Sequence, residues 1–337
     1  MGAGRRILVT GGAGYIGSHC CKAVKEAGFE PVCYDNLTIG HRSFVNWGPL
    51  VTGDILDERS LVAALKEFEI QAVIHLAASS LVGESVSHPH IYYRNNVVGT
   101  LTLLDSMRKA GCSNIVFSST GAVYGEVSGM PIREAQAGRA VNPYGRSKWM
   151  AEQIIGDFEA SYGFNAIRLR YFNACGADDC GLIGELRDPE THLIPRALMA
   201  MQGHLDEFAV YGDDYDTPDG SAVRDYIHVS DLADAHVRAI HALMRNERKI
   251  VGRAFNLGTG KGYSVKEVLH AIERETGSAP PATMKDRRPG DPSTLVADPT
   301  AANDDLQFRP LRSDLRTIIR SAWAWHTKAH PRRVGEL

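Results

Sequence analysis

A parallel α/β sheet covered by helices on both faces, joined to a smaller α/β substrate-binding part, is the architecture this sequence predicts. Three observations carry that expectation. Short, nearly unbroken apolar runs alternate with helix-patterned stretches through the first half of the chain. That is the pattern of strands buried on both faces. The first such run flows directly into a glycine cluster and then a helical stretch. After about residue 172 glycine, aspartate and proline become frequent, and the helices stand apart.

Arg5 to Thr10 reads as the first buried strand, Gly11-Gly12-Ala13-Gly14-Tyr15-Ile16-Gly17 as the turn, and Ser18 to Val24 as the helix. Glycines at such a turn let the backbone approach a pyrophosphate, and the helix N-terminus supplies free N–H groups and a positive dipole end. The next apolar run, Pro31 to Tyr34, ends in Asp35-Asn36. Asp35 stands 18 residues after Gly17, close to the spacing of an acid that hydrogen-bonds an adenine-side ribose. A carboxylate there repels a 2′-phosphate, so NAD is expected and NADP is not.

Further strands are expected at Leu50 to Ile55, Gln71 to Ala78, Asn114 to Thr120 and Asn165 to Arg170. Helices are expected at Ser60 to Phe68, along roughly Pro89 to Ala110, and after Asn142-Pro143. Together these units predict a Rossmann-type doubly wound sheet, whose ligands bind beyond the carboxyl ends of the strands. Asp35, Asp54, Ala77 and Thr120 fall at those ends. Later helices are expected at Leu193 to Gln202, Ser230 to Leu243, Ser264 to Thr276 and Ser313 to Thr327, with short apolar pieces at Phe208 to Tyr211 and Ala254 to Leu257. The division expected is a cofactor-binding domain over 1–172 and a mainly substrate-binding domain over 173–337, with some later segments returning to the first.

One pair of side chains stands out as chemistry. Tyr144 and Lys148 lie four residues apart, just after a proline that suits the first turn of a helix. Helical spacing puts them on one face. An ammonium beside a phenol lowers the phenol's pKa, which allows proton transfer near neutral pH. Of the twelve tyrosines, Tyr144 alone has a lysine four residues later. Packing is the competing explanation, and the rest of the chain must decide.

Composition excludes several classes. With 44% hydrophobic and 23% charged residues the chain has ordinary globular content. A net charge of −3, with both signs mixed, gives no nucleic-acid groove and no basic membrane patch. The early apolar run Ile7-Leu8-Val9 is too short for a signal peptide or a membrane span. The six cysteines show no CxxC spacing, so no zinc site or disulfide framework is indicated, and a reduced cytoplasmic setting is expected. No metal site is expected. Asp213 to Gly220 is acidic but lacks the ligand order of a calcium loop. His75 ends a buried strand and reads as structural or cofactor-lining.

Several stretches together resemble the UDP-glucose 4-epimerases of the extended short-chain dehydrogenase/reductase family. They are Thr10 to His19, Tyr34 to Leu37, Val82 to Ser85, Ala122 to Gly125 and the Tyr144/Lys148 pair. Downstream come Arg170 to Ala177, Arg224 to Val229, Asn256 to Gly260 and Arg287 to Asp291. The resemblance covers residues from about 5 to 325, and the motifs after residue 170 are the more specific to the 4-epimerases.

The resemblance implies an isomerase holding NAD tightly and interconverting UDP-glucose and UDP-galactose through a 4-keto sugar. Tyr144 would exchange the proton of the 4-hydroxyl, Thr120 would hydrogen-bond the 4-oxygen, and Lys148 would hold the nicotinamide ribose. Gly11, Gly14, Tyr15, Ile16, Gly17, Asp35, Asn36, Leu37 and Thr38 would contact the cofactor. Asp54 and Ile55 would flank the adenine, and Leu76, Ala77, Ala78, Ser80, Asn95 and Phe172 would complete its lining. Asn173, His192, Leu193, Tyr211, Arg224 and Arg288 would hold the UDP end. A homodimer through the Pro89–Ala110 stretch and the Tyr144 helix is also implied.

The chain departs from familiar members at three points. Ser80 replaces a lysine near the cofactor, and Thr120 replaces a serine. Leu295 occupies the gate near the sugar 2-substituent, which argues mildly against N-acetyl sugars and leaves UDP-N-acetylglucosamine and the UDP-pentoses UDP-xylose and UDP-arabinose as alternative substrates. Two rivals are weighed. A nucleotide-sugar dehydratase or decarboxylase needs another acid/base pair, but Gly121-Ala122 follow Thr120 and cannot move protons. A non-catalytic NAD-sensing protein would be expected to lose Tyr144 or Lys148, and both are present.

Overall fold

The computed structural model describes residues 4–127, 129–288 and 291–330. Its first strands and helices are β1 (Arg6–Thr10), α1 (Tyr15–Glu26), β2 (Glu30–Asp35), β3 (Leu50–Thr52), α2 (Glu58–Glu67) and β4 (Ala72–His75). Next come α3 (Val82–Ser87), α4 (Pro89–Tyr92), a π-helical turn at Tyr93–Val98, α5 (Gly99–Ala110) and β5 (Asn114–Thr120). α6 (Pro143–Tyr162), β6 (Asn165–Tyr171) and β7 (Asn173–Cys175) follow. The later elements are α7 (Leu193–Met201), β8 (Phe208–Tyr211), β9 (Val223–His228), α8 (Val229–Met244), β10 (Ala254–Leu257), β11 (Gly262–Ser264) and α9 (Val265–Thr276). They end with β12 (Ala282–Lys285), β13 (Thr294–Leu295), α10 (Thr300–Asp305) and α11 (Leu315–Ala329).

Seven parallel strands form the main sheet in the order β10-β6-β5-β4-β1-β2-β3. Alternation along β1 explains why it needs cover on both sides. Ile7 and Val9 join one buried cluster with Val24 of α1 and Ile240 of α8. Leu8 joins the opposite cluster with Leu61 of α2, Leu103 of α5 and Ile155 of α6. The Ala254 to Leu257 piece, expected among the later substrate-binding elements, is β10 and pairs with β6 in this sheet. α8 also returns, because its apolar face covers α1 and β6.

A smaller β-structure carries the other half. β9 pairs with β7, β11 and β13, and β8 pairs with β12. Ile194 and Leu198 of α7, Ile272 of α9 and Ile318 of α11 pack there. The expected helix at Pro89 to Ala110 is one continuous helical path with the π-turn in its middle. The strand expected over Leu50 to Ile55 stops at Thr52, since Asp54 turns back to accept the Leu56 N–H.

Candidate active site

α6 begins as its sequence dictates. Asn142 caps it by accepting the Gly145 N–H at 2.8 Å, and Pro143 takes the first helical position. This start sets Tyr144 against the end of β5, on the wall of a cavity of about 850 Å³. The cavity runs along the carboxyl ends of β1, β2, β4, β5 and β6 and continues to β9 and β13.

One wall is made of backbone. Gly11 has φ 72°, where only glycine is relaxed, and a side chain there would meet the Ala77 backbone. A side chain at Gly17 would run into the Gly11 carbonyl. Gly14 precedes α1 and offers no side-chain cap, so the first N–H groups of that helix face the cavity uncapped. At the end of β2 the Asp35 carboxylate accepts Ala13 N–H at 3.0 Å and Leu37 N–H at 2.8 Å. Burial raises its pKa against those two bonds.

Around Tyr144 the groups come from separate elements. Burial raises the phenol pKa, while the Thr120 hydroxyl and the Arg187 charge pull it down. Tyr92 packs edge-on against it at 6.4 Å and donates to Glu84 at 2.6 Å. Lys148 is buried, donates to the Ser118 carbonyl at 2.9 Å and lies 5.0 Å from the Phe117 ring centre. Burial pushes its pKa down to about 7, against the pull of Glu152. Helical spacing puts both on one face, and the ammonium turns to a β5 carbonyl.

The second wall is made of charged side chains. Along β9, Arg224 and Tyr226 face the cavity while Asp225 points the other way. Arg224 pairs with Asp291 at 2.5 Å. Asp225 accepts N–H groups of Thr259, Gly260 and Ala297, which ties the loop after β10 to this strand. In the stretch between β7 and α7, Glu185 pairs with His192 at 2.7 Å and Arg187 at 3.3 Å. Burial works against the His192 charge, yet Glu185 raises its pKa overall. Glu185, Glu190 and His192 bring three metal-type donors within 4.8 Å. The Arg187 guanidinium already supplies a cation at Glu185, so the group reads as an ion-pair cluster.

Every expected cofactor residue lines this cavity except Leu37 and Asp54. Leu37 contributes its N–H to Asp35, and the Asp54 carboxylate accepts from Asn36 at 3.0 Å. Every expected substrate residue lines it except Tyr211 and Arg288. The Arg288 guanidinium lies 3.9 Å over the Tyr211 ring, on β8 and outside the cavity. Pro289 and Gly290 of the Arg287 to Asp291 stretch lie outside the described residues. His75 is structural: it bonds Thr10 at 2.7 Å and Thr100 at 3.0 Å, and burial pushes its pKa down to about 3. Sequence reasoning missed Glu185, Arg187, Tyr226 and Asp291. Tyr226 could have been found by its two-residue offset from Arg224 on one strand. Arg187 carried no such signal, because it lies in a stretch without periodicity.

The model of the NAD dependent epimerase/dehydratase family matches residues 7–258. The chain belongs to that family. A UDP-glucose 4-epimerase of Rhizobium leguminosarum bv. trifolii is 48% identical over 328 residues, covering 97% of this chain and 99% of that one. The crystal structure of a UDP-glucose 4-epimerase from Brucella ovis in complex with NAD is 52% identical, with a TM-score of 0.91, over 95% of this chain and 97% of that one. A UDP-glucose 4-epimerase from Bifidobacterium longum, solved with NAD+ and UDP, is 39% identical, with a TM-score of 0.89, over 96% and 98%. Among the described residues no helix is long and apolar enough to cross a membrane.

The residues present fit the family's dinucleotide. The glycines leave room for a pyrophosphate where side chains would block it, and the uncapped helix N-terminus faces that room. Asp35 retains acceptor capacity for ribose hydroxyls.

Proposed function

We propose that this chain is an NAD-dependent UDP-glucose 4-epimerase, interconverting UDP-glucose and UDP-galactose through a 4-keto sugar. One observation carries the reading. Tyr144 and Thr120 set two hydroxyls together between the glycine wall and the Arg224 wall. Gly121 and Ala122 beside them offer no further acid or base, so the dehydratase alternative lacks a proton carrier. An NAD-sensing role would not require this hydroxyl pair.

Bound NAD would supply reversible hydride acceptance from carbon 4. The chain's residues would do the rest. Tyr144 takes the proton of the 4-hydroxyl and later returns it, and Thr120 holds the 4-oxygen in line. Lys148, held by the Ser118 carbonyl, donates to the nicotinamide-side ribose. The Gly11 to Gly17 turn and the α1 N-terminus hold the pyrophosphate, and Asp35 takes the adenine-side ribose. Arg224, oriented by Asp291, binds the UDP diphosphate as guanidinium forks do. Asn173, His192 and Leu193 line the same end. Tyr211 and Arg288 are assigned there by resemblance. Cofactor contacts are thus assigned mainly to 1–172 and UDP-sugar contacts mainly to 173–337.

Leu295 on β13 packs against the Tyr124 and Phe172 cluster. That crowding favours a hexose with a 2-hydroxyl over an N-acetyl sugar. We also assign a homodimer. Val98 and Leu101 near α5 are 47% and 44% exposed, and Met150 of α6 is 43% exposed, so covering that face would bury apolar area. Six free cysteines agree with a cytoplasmic setting.

The test is proton NMR at the sugar 4-position. Wild-type protein loaded with NAD converts UDP-galactose to UDP-glucose with no added reductant. Tyr144→Phe loses about 10²–10⁴ in kcat while still binding UDP. Absence of interconversion by the wild type would sink the assignment.

A further inference from the structure

Two neighbouring residues of β5 each hold one residue of α6. The Ser118 carbonyl accepts from the Lys148 ammonium at 2.9 Å. The Ser119 hydroxyl donates to the Glu152 carboxylate. Glu152 stands one helical turn beyond Lys148, as Tyr144 stands one turn before it, and the side chains of Lys148 and Glu152 are both buried. Lys148 and Tyr144 line the cavity, whereas Glu152 lies behind its wall. The Lys148 ammonium rides on a flexible four-carbon stem, so its place at the Ser118 carbonyl depends on how α6 is seated against β5.

Arg170 of β6 grips Glu152 from the other side. Its Nε donates to one carboxylate oxygen at 2.9 Å and its Nη2 to the other at 2.6 Å, with the two side chains 5% and 4% exposed. Its Nη1 donates to the Glu134 carbonyl at 2.8 Å and to the Tyr124 hydroxyl at 3.2 Å. Tyr124 in turn stacks on Phe172 of the cavity wall. A two-point fork fixes direction as well as distance. Stability is a weak reason for such a pair, because desolvating both charges offsets much of their attraction, and fixing a register is the better-attested use. The same strand and helix make a second pair, Arg168 with Glu159. Glu159 lies about 16 Å farther along the helix axis than Lys148, so it supplies a remote pair of the same chemistry.

We propose that Glu152, forked by Arg170 and bonded by Ser119, is a positioning residue that seats α6 on β5 and so places Lys148 at the Ser118 carbonyl. Glu152 lies outside the cavity and acts through Lys148. The inference rests on the reading of this cleft as that of a UDP-sugar 4-epimerase, in which Lys148 holds the nicotinamide-side ribose.

The test compares the near pair with the remote one. Glu152→Gln keeps the size of the side chain but presents an amide with a single acceptor oxygen, which breaks the fork, and Glu159→Gln does the same at the remote pair. Both are expected to lower the melting temperature. Glu152→Gln alone is expected to lose about tenfold in kcat for UDP-galactose with KM little changed, since a small misplacement acts on the reacting geometry. Crystal structures of the NAD-loaded variants read the same point without turnover: Lys148 Nζ leaves the Ser118 carbonyl in Glu152→Gln and stays on it in Glu159→Gln. An unchanged kcat in Glu152→Gln overturns the proposal, as does a Lys148 still seated on Ser118 in that variant. An equal loss of kcat in Glu159→Gln also overturns it, because the pair would then only brace the fold. Ser119→Ala leaves the ion pair whole; should Glu152→Gln fail to fold, an unchanged kcat in Ser119→Ala overturns the proposal and a reduced one supports it. Wild-type turnover of UDP-galactose is the separate control: its failure removes the assigned activity, while the place of Lys148 in the variant structures still decides the role of Glu152.

Discussion

The two walls of the cleft are held by different forces. The wall made by β1, β2 and α1 is backbone against backbone: Gly11 N–H donates to the Tyr34 carbonyl at 2.8 Å, and Asp35 fixes Ala13 and Leu37. The wall made by residues 185–192 and β9 is side-chain charge, in Glu185 with His192 and Arg187, and Arg224 with Asp291. Backbone donors keep their state at any ordinary pH. The charged wall depends on which groups are ionised. The backbone contacts to a dinucleotide's pyrophosphate are therefore insensitive to pH, while the contacts made by charged side chains are tuned by ionisation.

The sharpest way to break the contrast is on the backbone wall. Gly17→Val forces a side chain into the Gly11 carbonyl. Overpacking of this kind costs up to about 3 kcal/mol, so NAD binding weakens about a hundredfold while UDP binding is nearly unchanged. Fluorescence titration with NAD and calorimetry with UDP read the two separately. On the charged wall, Arg224→Ala is expected to weaken UDP about tenfold, the value of a charged hydrogen bond, and to leave NAD alone. If both variants lose both ligands, the walls are not independent.

The smallest effect concerns acid. Burial pushes the pKa of His19 and His236 down to about 4 and that of His75 to about 3. All three lie on the sheet side, in α1, α8 and β4. Their folded pKa values lie below the unfolded value near 6.5, so the unfolded chain binds more protons between about pH 6.5 and 4. Stability is full above that window and falls as pH drops through it. His236 bonds the Leu232 carbonyl through Nδ1, and its Nε2 has no partner. His236→Leu should show a flatter fall in melting temperature from pH 7 to pH 4.5. His192 carries the opposite sign: its raised pKa makes its contribution present in acid and lost as pH rises through the folded value.

The same contrast explains what could be read in the sequence. The glycine turn, Asp35 and the Tyr144 helix are legible because each function is written in contiguous residues with a local geometric reason. β10 was visible as an apolar piece, but its seat beside β6 follows from long-range packing through α8 and α1. Arg187 meets Ser80 across 107 positions of chain, and Arg224 meets Asp291 across 67. No periodicity encodes such meetings. Helical spacing likewise gives the face of Lys148 and not the partner its ammonium finds, the Ser118 carbonyl.

The proposed reaction is reversible oxidation at one carbon, with Tyr144 moving the proton. UDP-galactose deuterated at carbon 4, incubated with NAD-loaded protein in ordinary water, tests it most directly by proton NMR of the product. The expected product is UDP-glucose that keeps its deuterium at carbon 4, with Tyr144→Phe nearly inactive. Product carrying solvent protium at carbon 4 would contradict it.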